Sequence, residues 1–300
     1  MHHFLIGFYG KCDEEKYDRD FVKGFYGVEA SMFPDIEEVH KLAKKSQMNR
    51  FDWGAHYPLI KKNRVTRDPL MISLDQEERK KAYSDFEKEA ELVSQYGGKY
   101  ILTHYPKPVL VSGTFDLTFW RFANDQEWLY EKDYPTKDLD NNLHNMFIQL
   151  EKISRRHNIQ VILENDAISS YLFHSSVLKN LFEKFSGIKA CLDIGRLHLQ
   201  QMVDSKFEGM EFAKKLAPYT SLIHLWNTSP ALNLKGGHLP VSPGQKREDG
   251  FADVKAYLEA IFASAKDVEI LFEHNSNLTT KDELYNLYKW VASIQSNFRI

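Results

Sequence analysis

The sequence predicts an α/β chain folded as a single (β/α)8 TIM barrel spanning residues 1–300, with long loops at its C-terminal face. Three observations carry this. The chain has 300 residues, enough to bury the core of one such barrel. Short apolar runs recur at fairly even spacing, and longer amphipathic, charged stretches separate them, as in parallel β/α proteins. A nucleotide-binding doubly wound sheet would instead need a Gly-rich turn after an early strand, and the sequence has none.

The strands are expected at 4–10 (FLIGFYG), 26–31 (YGVEAS), 51–58 (FDWGAHYP), 99–106 (KYILTHYP), 160–166 (QVILEND), 189–195 (KACLDIG), 221–227 (SLIHLWN) and 268–275 (VEILFEHN). Between them, PDIEEVHKLAKKSQ opens on Pro34 at a first-turn position and DQEERKKAYSDFEKEAELVSQYGG closes on a glycine pair, as helices do. DLDNNLHNMFIQLEKISRRHN, FADVKAYLEAIFASAK and TTKDELYNLYKWVASI supply further helices. Two connections, 107–138 and 227–250, are too long for plain loops and follow strands, so both rise from the face where barrel enzymes keep their chemistry. The first holds seven aromatics, with six acids against three bases, between 109 and 138. Aromatic faces pack on the C–H faces of sugars, whereas a single-strand nucleic-acid platform would interleave them with Lys and Arg. Packing on the barrel rim or against a second copy is the equal alternative, so a homo-oligomer is a possible partner state.

Composition narrows the field. With 43% apolar and 27% charged residues the chain reads as an ordinary globular protein, and its apolar runs fall short of a membrane span. The opening MHHFLIGFYGKCDEEK lacks the pattern of a secretory leader, and two cysteines, Cys12 and Cys191, make no disulfide framework. The expected location is therefore cytoplasmic. A net charge of −3 gives no general attraction for nucleic acid, so that partner is disfavoured.

The expected strands end on metal-ligand residue types: His56, His104, Glu164, Asp193, His224 and Glu273. A single strand-end carboxylate is more often a cap or a salt-bridge partner. Six such residues at one barrel mouth are different, because clustered carboxylates repel one another unless a cation compensates. Glu164, Asp193, His224 and Glu273 form a three-carboxylate, one-imidazole set suited to one divalent ion, Mn²⁺, Mg²⁺, Co²⁺ or Zn²⁺. His56 and His104, in the similar contexts AHYP and THYP, are candidates for substrate binding, as are Arg196 and the loop histidine His238. Arg196 has the alternative of pairing with a neighbouring acid, and His198 reads as structural.

The segments GVEAS, GAHYP, YILTHYP, VILEND, CLDIGRLH, IHLWN, HLPVSPGQ and ILFEHN, in that order, resemble the xylose isomerase-like TIM barrels. That superfamily includes sugar-phosphate isomerases and epimerases, inosose-processing enzymes and family 2 apurinic endonucleases. The resemblance implies that Glu164, Asp193, His224 and Glu273 hold one divalent metal. It further implies that Glu164 and Glu273 act as acid and base on opposite faces of a substrate carbon, through a metal-stabilised enediolate. A zinc phosphodiesterase acting on abasic DNA is the alternative, and the sequence departs from that pattern twice. Arg196 stands three residues after Asp193 where the endonucleases have histidine, and Gly236 precedes His238 where they have an acid. Arginine stays protonated and is no metal ligand. The expectation is thus a metal-dependent isomerase or epimerase for a sugar, keto-sugar or related polyol. A non-catalytic metabolite-binding barrel is a third reading. No backbone cradle or cluster of bases for a phosphate stands out in the late loops.

Overall fold

The computed structural model describes residues 2–61, 65–229, 238–265 and 267–298. Part of the 227–250 connection, including Gly236, lies outside them. All eight expected strands form: β1 (Phe4–Tyr9), β2 (Gly27–Ser31), β3 (Asp52–His56), β4 (Tyr100–Tyr105), β7 (Gln160–Asn165), β8 (Ile188–Asp193), β9 (Thr220–Leu225) and β10 (Glu269–Phe272). They close into a parallel barrel in the order β1-β10-β9-β8-β7-β4-β3-β2. The helices α1 (Glu14–Asp20), α2 (Ile36–Asn49), α3 (Gln76–Gln95), α4 (Thr136–His157), α6 (Val177–Lys184), α7 (Ile194–Val203), α8 (Gly209–Leu216), α9 (Val254–Phe262) and α10 (Lys281–Ser296) follow the strands, with a short α5 (Ser170–His174) before α6. None of the described helices is long and apolar enough to cross a membrane.

Side chains alternate across each strand, so every second residue enters the barrel. Leu5, Leu102, Ile162, Cys191, Leu222 and Leu271, with Tyr100, make the interior plug. Their outward neighbours, such as Phe4, Ile6, Val161, Leu163 and Ile223, join the larger core between sheet and helices. Two positions beyond the plug stand His104, Glu164, Asp193, His224 and Glu273, the next inward layer toward the C-terminal mouth. Period two thus explains why core strands end on acids: one layer is filled with hydrocarbon and the layer above it with ligand-type groups.

The first long connection is structured rather than open. It carries β5 (Val109–Val111) and β6 (Trp128–Tyr130), a short parallel pair. Val109, Val111, Phe115, Trp120 and Ala167 form a small apolar core there, packed by Leu199 and Val203 of α7. Most of its aromatics are therefore used on its own barrel rim.

Candidate active site

The four expected ligands converge. One ligand-type atom from each of Glu164, Asp193, His224 and Glu273 lies within 4.8 Å of all the others. Pairing between strands sets this, because Asp193 registers with His224 across β8 and β9, and His104 with Glu164 across β4 and β7. Glu164, Asp193 and His224 are fully buried, and Glu273 is partly exposed at 28% of its side chain. His224 Nδ1 stands 3.4 Å from a carboxylate oxygen of both Glu164 and Glu273. Yet Glu164 Oε1, Asp193 Oδ2, His224 Nδ1 and Glu273 Oε2 are buried without a hydrogen bond. Four converging residues of ligand type, each with a buried atom lacking a hydrogen bond, fit a divalent cation.

Electrostatics agrees. Burial, with Glu273 and Glu164 beside it, raises the Asp193 carboxyl well above the usual range. Burial would do the same to Glu164, but His104 and His224 hold it well below. Against burial, Cys191, Glu29, Glu164 and Glu273 draw the His224 imidazole well above its ordinary value. Three carboxylates this close are thus partly neutralised by neighbouring protons and cations.

Asp193 caps a helix and also joins this cluster. Its Oδ1 caps α7 by accepting from Arg196 N at 2.9 Å, which leaves its Oδ2, 3.2 Å from Arg196 Nε, buried without a hydrogen bond. Gly195 follows because a Cβ there would lie 2.1 Å from the Trp226 ring. Trp226 in turn stacks on His238, with centroids 4.0 Å apart and planes 9° from parallel. His238 Nδ1 donates to the Glu273 carbonyl at 2.8 Å, so this loop histidine is anchored to the site.

The substrate-binding candidates also assemble. His56, His104, Arg196 and His238 line one cavity of about 490 Å³, with Glu273, Glu29, Phe119, Trp120 and Trp226. That size suits a small molecule. Among the described residues, Glu164, Asp193 and His224 sit beneath the lining rather than on it. His56 Nδ1 donates to the Tyr57 carbonyl at 2.8 Å, which turns Nε2 toward Glu164 Oε2 at 3.0 Å. Arg196 takes the acid-pairing role and touches the cavity too. Its Nε lies 3.3 Å from Glu164 and 3.2 Å from Asp193, and its terminal nitrogen donates to His104 Nε2 at 3.1 Å. His198, structural as expected, bonds the Gly250 carbonyl at 2.8 Å.

Other members were not evident in the sequence. Glu29, inside GVEAS, lies 3.3 and 3.4 Å from His224 Nε2 through its two oxygens, and accepts from the Tyr100 hydroxyl at 2.8 Å. Lys107 is 1% exposed, with Nζ 2.7 Å from Asp166, 3.1 Å from Asp68 and 3.7 Å from Glu127. Asp166 also accepts from Trp120 Nε1 at 2.7 Å and lies 3.5 Å from Arg196. Asp68 pairs with His104 Nδ1 at 2.9 Å. The only sequence signal was the inward phase of Glu29; the others come from loops without a period. Asp68, His104 and Asp166 also converge as ligand types do, but Lys107 already supplies that cluster with a cation.

No family model and no curated protein sequence matches this chain. Solved structures do. A D-tagatose 3-epimerase-like protein superposes with a TM-score of 0.65 at 13% identity, over 97% of this chain and 98% of its own. The 3-keto-D-glucoside 4-epimerase YcjR from E. coli gives 0.61 at 13% identity, over 96% and 98%. The IOLI protein, described with a bound zinc atom, gives 0.61 at 12% identity, over 98% of each chain. Over nearly its whole length, this chain shares its fold, a closed (β/α)8 barrel, with these proteins.

Proposed function

We propose that the chain is a divalent-metal-dependent isomerase or epimerase acting on a sugar, keto-sugar or related polyol. The observation that carries this is the convergence of Glu164, Asp193, His224 and Glu273, one ligand-type atom of each within 4.8 Å of the others and each residue with a buried atom lacking a hydrogen bond, beside a cavity of small-molecule size. The epimerases of the same fold support the choice of substrate class. Oxygen-rich ligation with one imidazole suits Mn²⁺, Mg²⁺, Co²⁺ or Zn²⁺. When bound, the ion supplies Lewis-acid polarisation of a carbonyl and its neighbouring hydroxyl.

The chain's own residues do the rest. Glu273 reaches the cavity and takes or returns the proton at the carbon beside that carbonyl. Glu164 is its partner, since its Oε2 lies as close to His224 Nδ1 as the Glu273 oxygen does. Arg196 covers Glu164, and the His56 and His104 rings line the same cavity. The guanidinium on His104 Nε2 supports one ion rather than several, and with it the sugar enzyme over the phosphodiesterase. The free thiols Cys12 and Cys191 support a reducing, cytoplasmic setting.

The test is metal content by elemental analysis, followed by solvent-deuterium incorporation into a panel of ketoses. One equivalent of metal and exchange at a carbon beside the carbonyl is the expected result, with exchange reduced about 10²-fold or more in Glu273→Gln. Two or three equivalents without sugar exchange would replace this reading with the hydrolase.

A further inference from the structure

The cavity has a second polar end. His274 follows β10, which lies across the barrel from β4 and His104. Lys16, on α1, lines the cavity beside His274, Tyr9 and Asn275. Its side chain is 23% exposed, and among the described residues its ammonium has one ion pair, Asp20 Oδ2 at 4.0 Å.

That carboxylate is already committed. Asp20 is 2% exposed, Arg19 Nε donates to its Oδ1 at 2.6 Å, and Ser276 Oγ donates to its Oδ2 at 2.6 Å. Lys16 and Arg19 are thus two cations against one acid, and Lys16 is the one that meets the cavity. The two carboxylates that line the cavity are engaged elsewhere, Glu29 by Tyr100 and His224, and Glu273 by His224 and His238. Beside Lys16, His274 is 4% exposed and its Nδ1 has no hydrogen bond. A part-buried ammonium lacking a close counter-ion is stabilised by an incoming oxygen anion, and such charge-assisted bonds are stronger than neutral ones.

We propose that Lys16 and His274 form a subsite for an anionic group, a carboxylate or a phosphate, so that the substrate is an acidic sugar derivative rather than a neutral one. The inference rests on the sugar-enzyme reading above and adds the charge of its substrate. The late loops offered no phosphate cradle in the sequence, because the cation comes from the first helix.

The experiment is calorimetric titration of the metal-loaded full chain with neutral ketohexoses and with their 6-carboxylate and 6-phosphate counterparts. At least one charged compound should bind about tenfold or more tightly than its neutral parent. Whether carboxylate or phosphate gains more identifies the anion. Lys16→Met should remove the gain while leaving metal content, melting temperature and neutral-sugar binding unchanged, and Lys16→Arg should keep it. Equal affinity for charged and neutral sugars, or a gain that survives in Lys16→Met, would overturn the subsite alone. Binding of no sugar of either kind by the metal-loaded chain would overturn the subsite and the sugar-enzyme reading together.

Discussion

Glu29 holds His224 by its far nitrogen: the carboxylate oxygens lie 3.3 and 3.4 Å from Nε2, and the Tyr100 hydroxyl fixes the carboxylate from behind at 2.8 Å. The ring is thereby turned so that Nδ1 faces Glu164 and Glu273. Partners of this kind set the tautomer and orientation of a ligand histidine, and losing one lowers metal affinity about 10- to 100-fold. Glu29→Ala should show that loss in a metal titration, with the circular dichroism of the folded protein preserved. Unchanged affinity would remove Glu29 from the site.

The two oxygens of Asp193 can be separated by substitution. Asn caps helices as well as Asp does, so Asp193→Asn should keep the cap on α7 and lose bound metal. Asp193→Ala should lose both, with a further stability cost of about 0.5–2 kcal/mol from the missing cap. Urea melts of the two metal-free variants measure the difference, and equal midpoints would mean that the cap contributes nothing.

Lys107 is the counter-ion of a buried acid cluster. Removing its charge leaves the buried Asp68 to Arg67 and His104 and the buried Asp166 to Arg196 at 3.5 Å, and breaking a buried pair in this way costs about 3–5 kcal/mol. Lys107→Met should unfold at markedly lower urea. A loss under about 1 kcal/mol would show that water or rearrangement replaces the ammonium.

The same cluster sets a pH window. Against burial, Arg67, His104 and Lys107 hold Asp68 well below its ordinary 3.8, and Lys107, Arg196 and His104 lower Asp166 likewise. A depressed folded pKa gives stability that is present above the ordinary carboxylate value and lost as pH falls through the folded one. Lys107 has the opposite sign: against burial, Asp166, Asp68 and Glu127 raise it above 10.5, so its contribution persists until pH rises through that raised value. The melting-temperature gap between wild type and Lys107→Met should therefore be flat from about pH 5 to 9 and shrink below about pH 4. A gap that widens in acid would reverse the assignment.

The barrel and the four candidate metal ligands were legible in the sequence because both follow a period. β4, β7, β8, β9 and β10 each place an apolar residue inward and, two positions later, a polar one, so Leu222 and His224 or Leu271 and Glu273 mark the site and the core together. Glu29 obeys the same phase, but an acid inside a short strand is not distinguished by that alone. Lys16 sits in DEEKYDRD, which reads as a solvated helix face, and only the fold turns it toward the cavity. The Lys107 cluster gathers residues 68, 107, 127 and 166, from segments that tertiary structure alone brings together. The pairing of β5 with β6 was equally hidden, since three-residue strands leave no alternation to read.

Glu127 makes the aromatic insertion inseparable from the barrel beneath it. Its carboxylate, 1% exposed, accepts from the backbone of Arg67 at 2.6 Å and Ala123 at 3.1 Å, and lies beside Lys107. One side chain thus clamps the insertion to the loop after β3 and to the end of β4. A protein engineer transplanting this insertion to alter substrate preference would have to move Asp68, Lys107, Glu127 and Asp166 as one cassette. Exchange of residues 109–135 alone would strand buried charges on both the donor and the recipient scaffold.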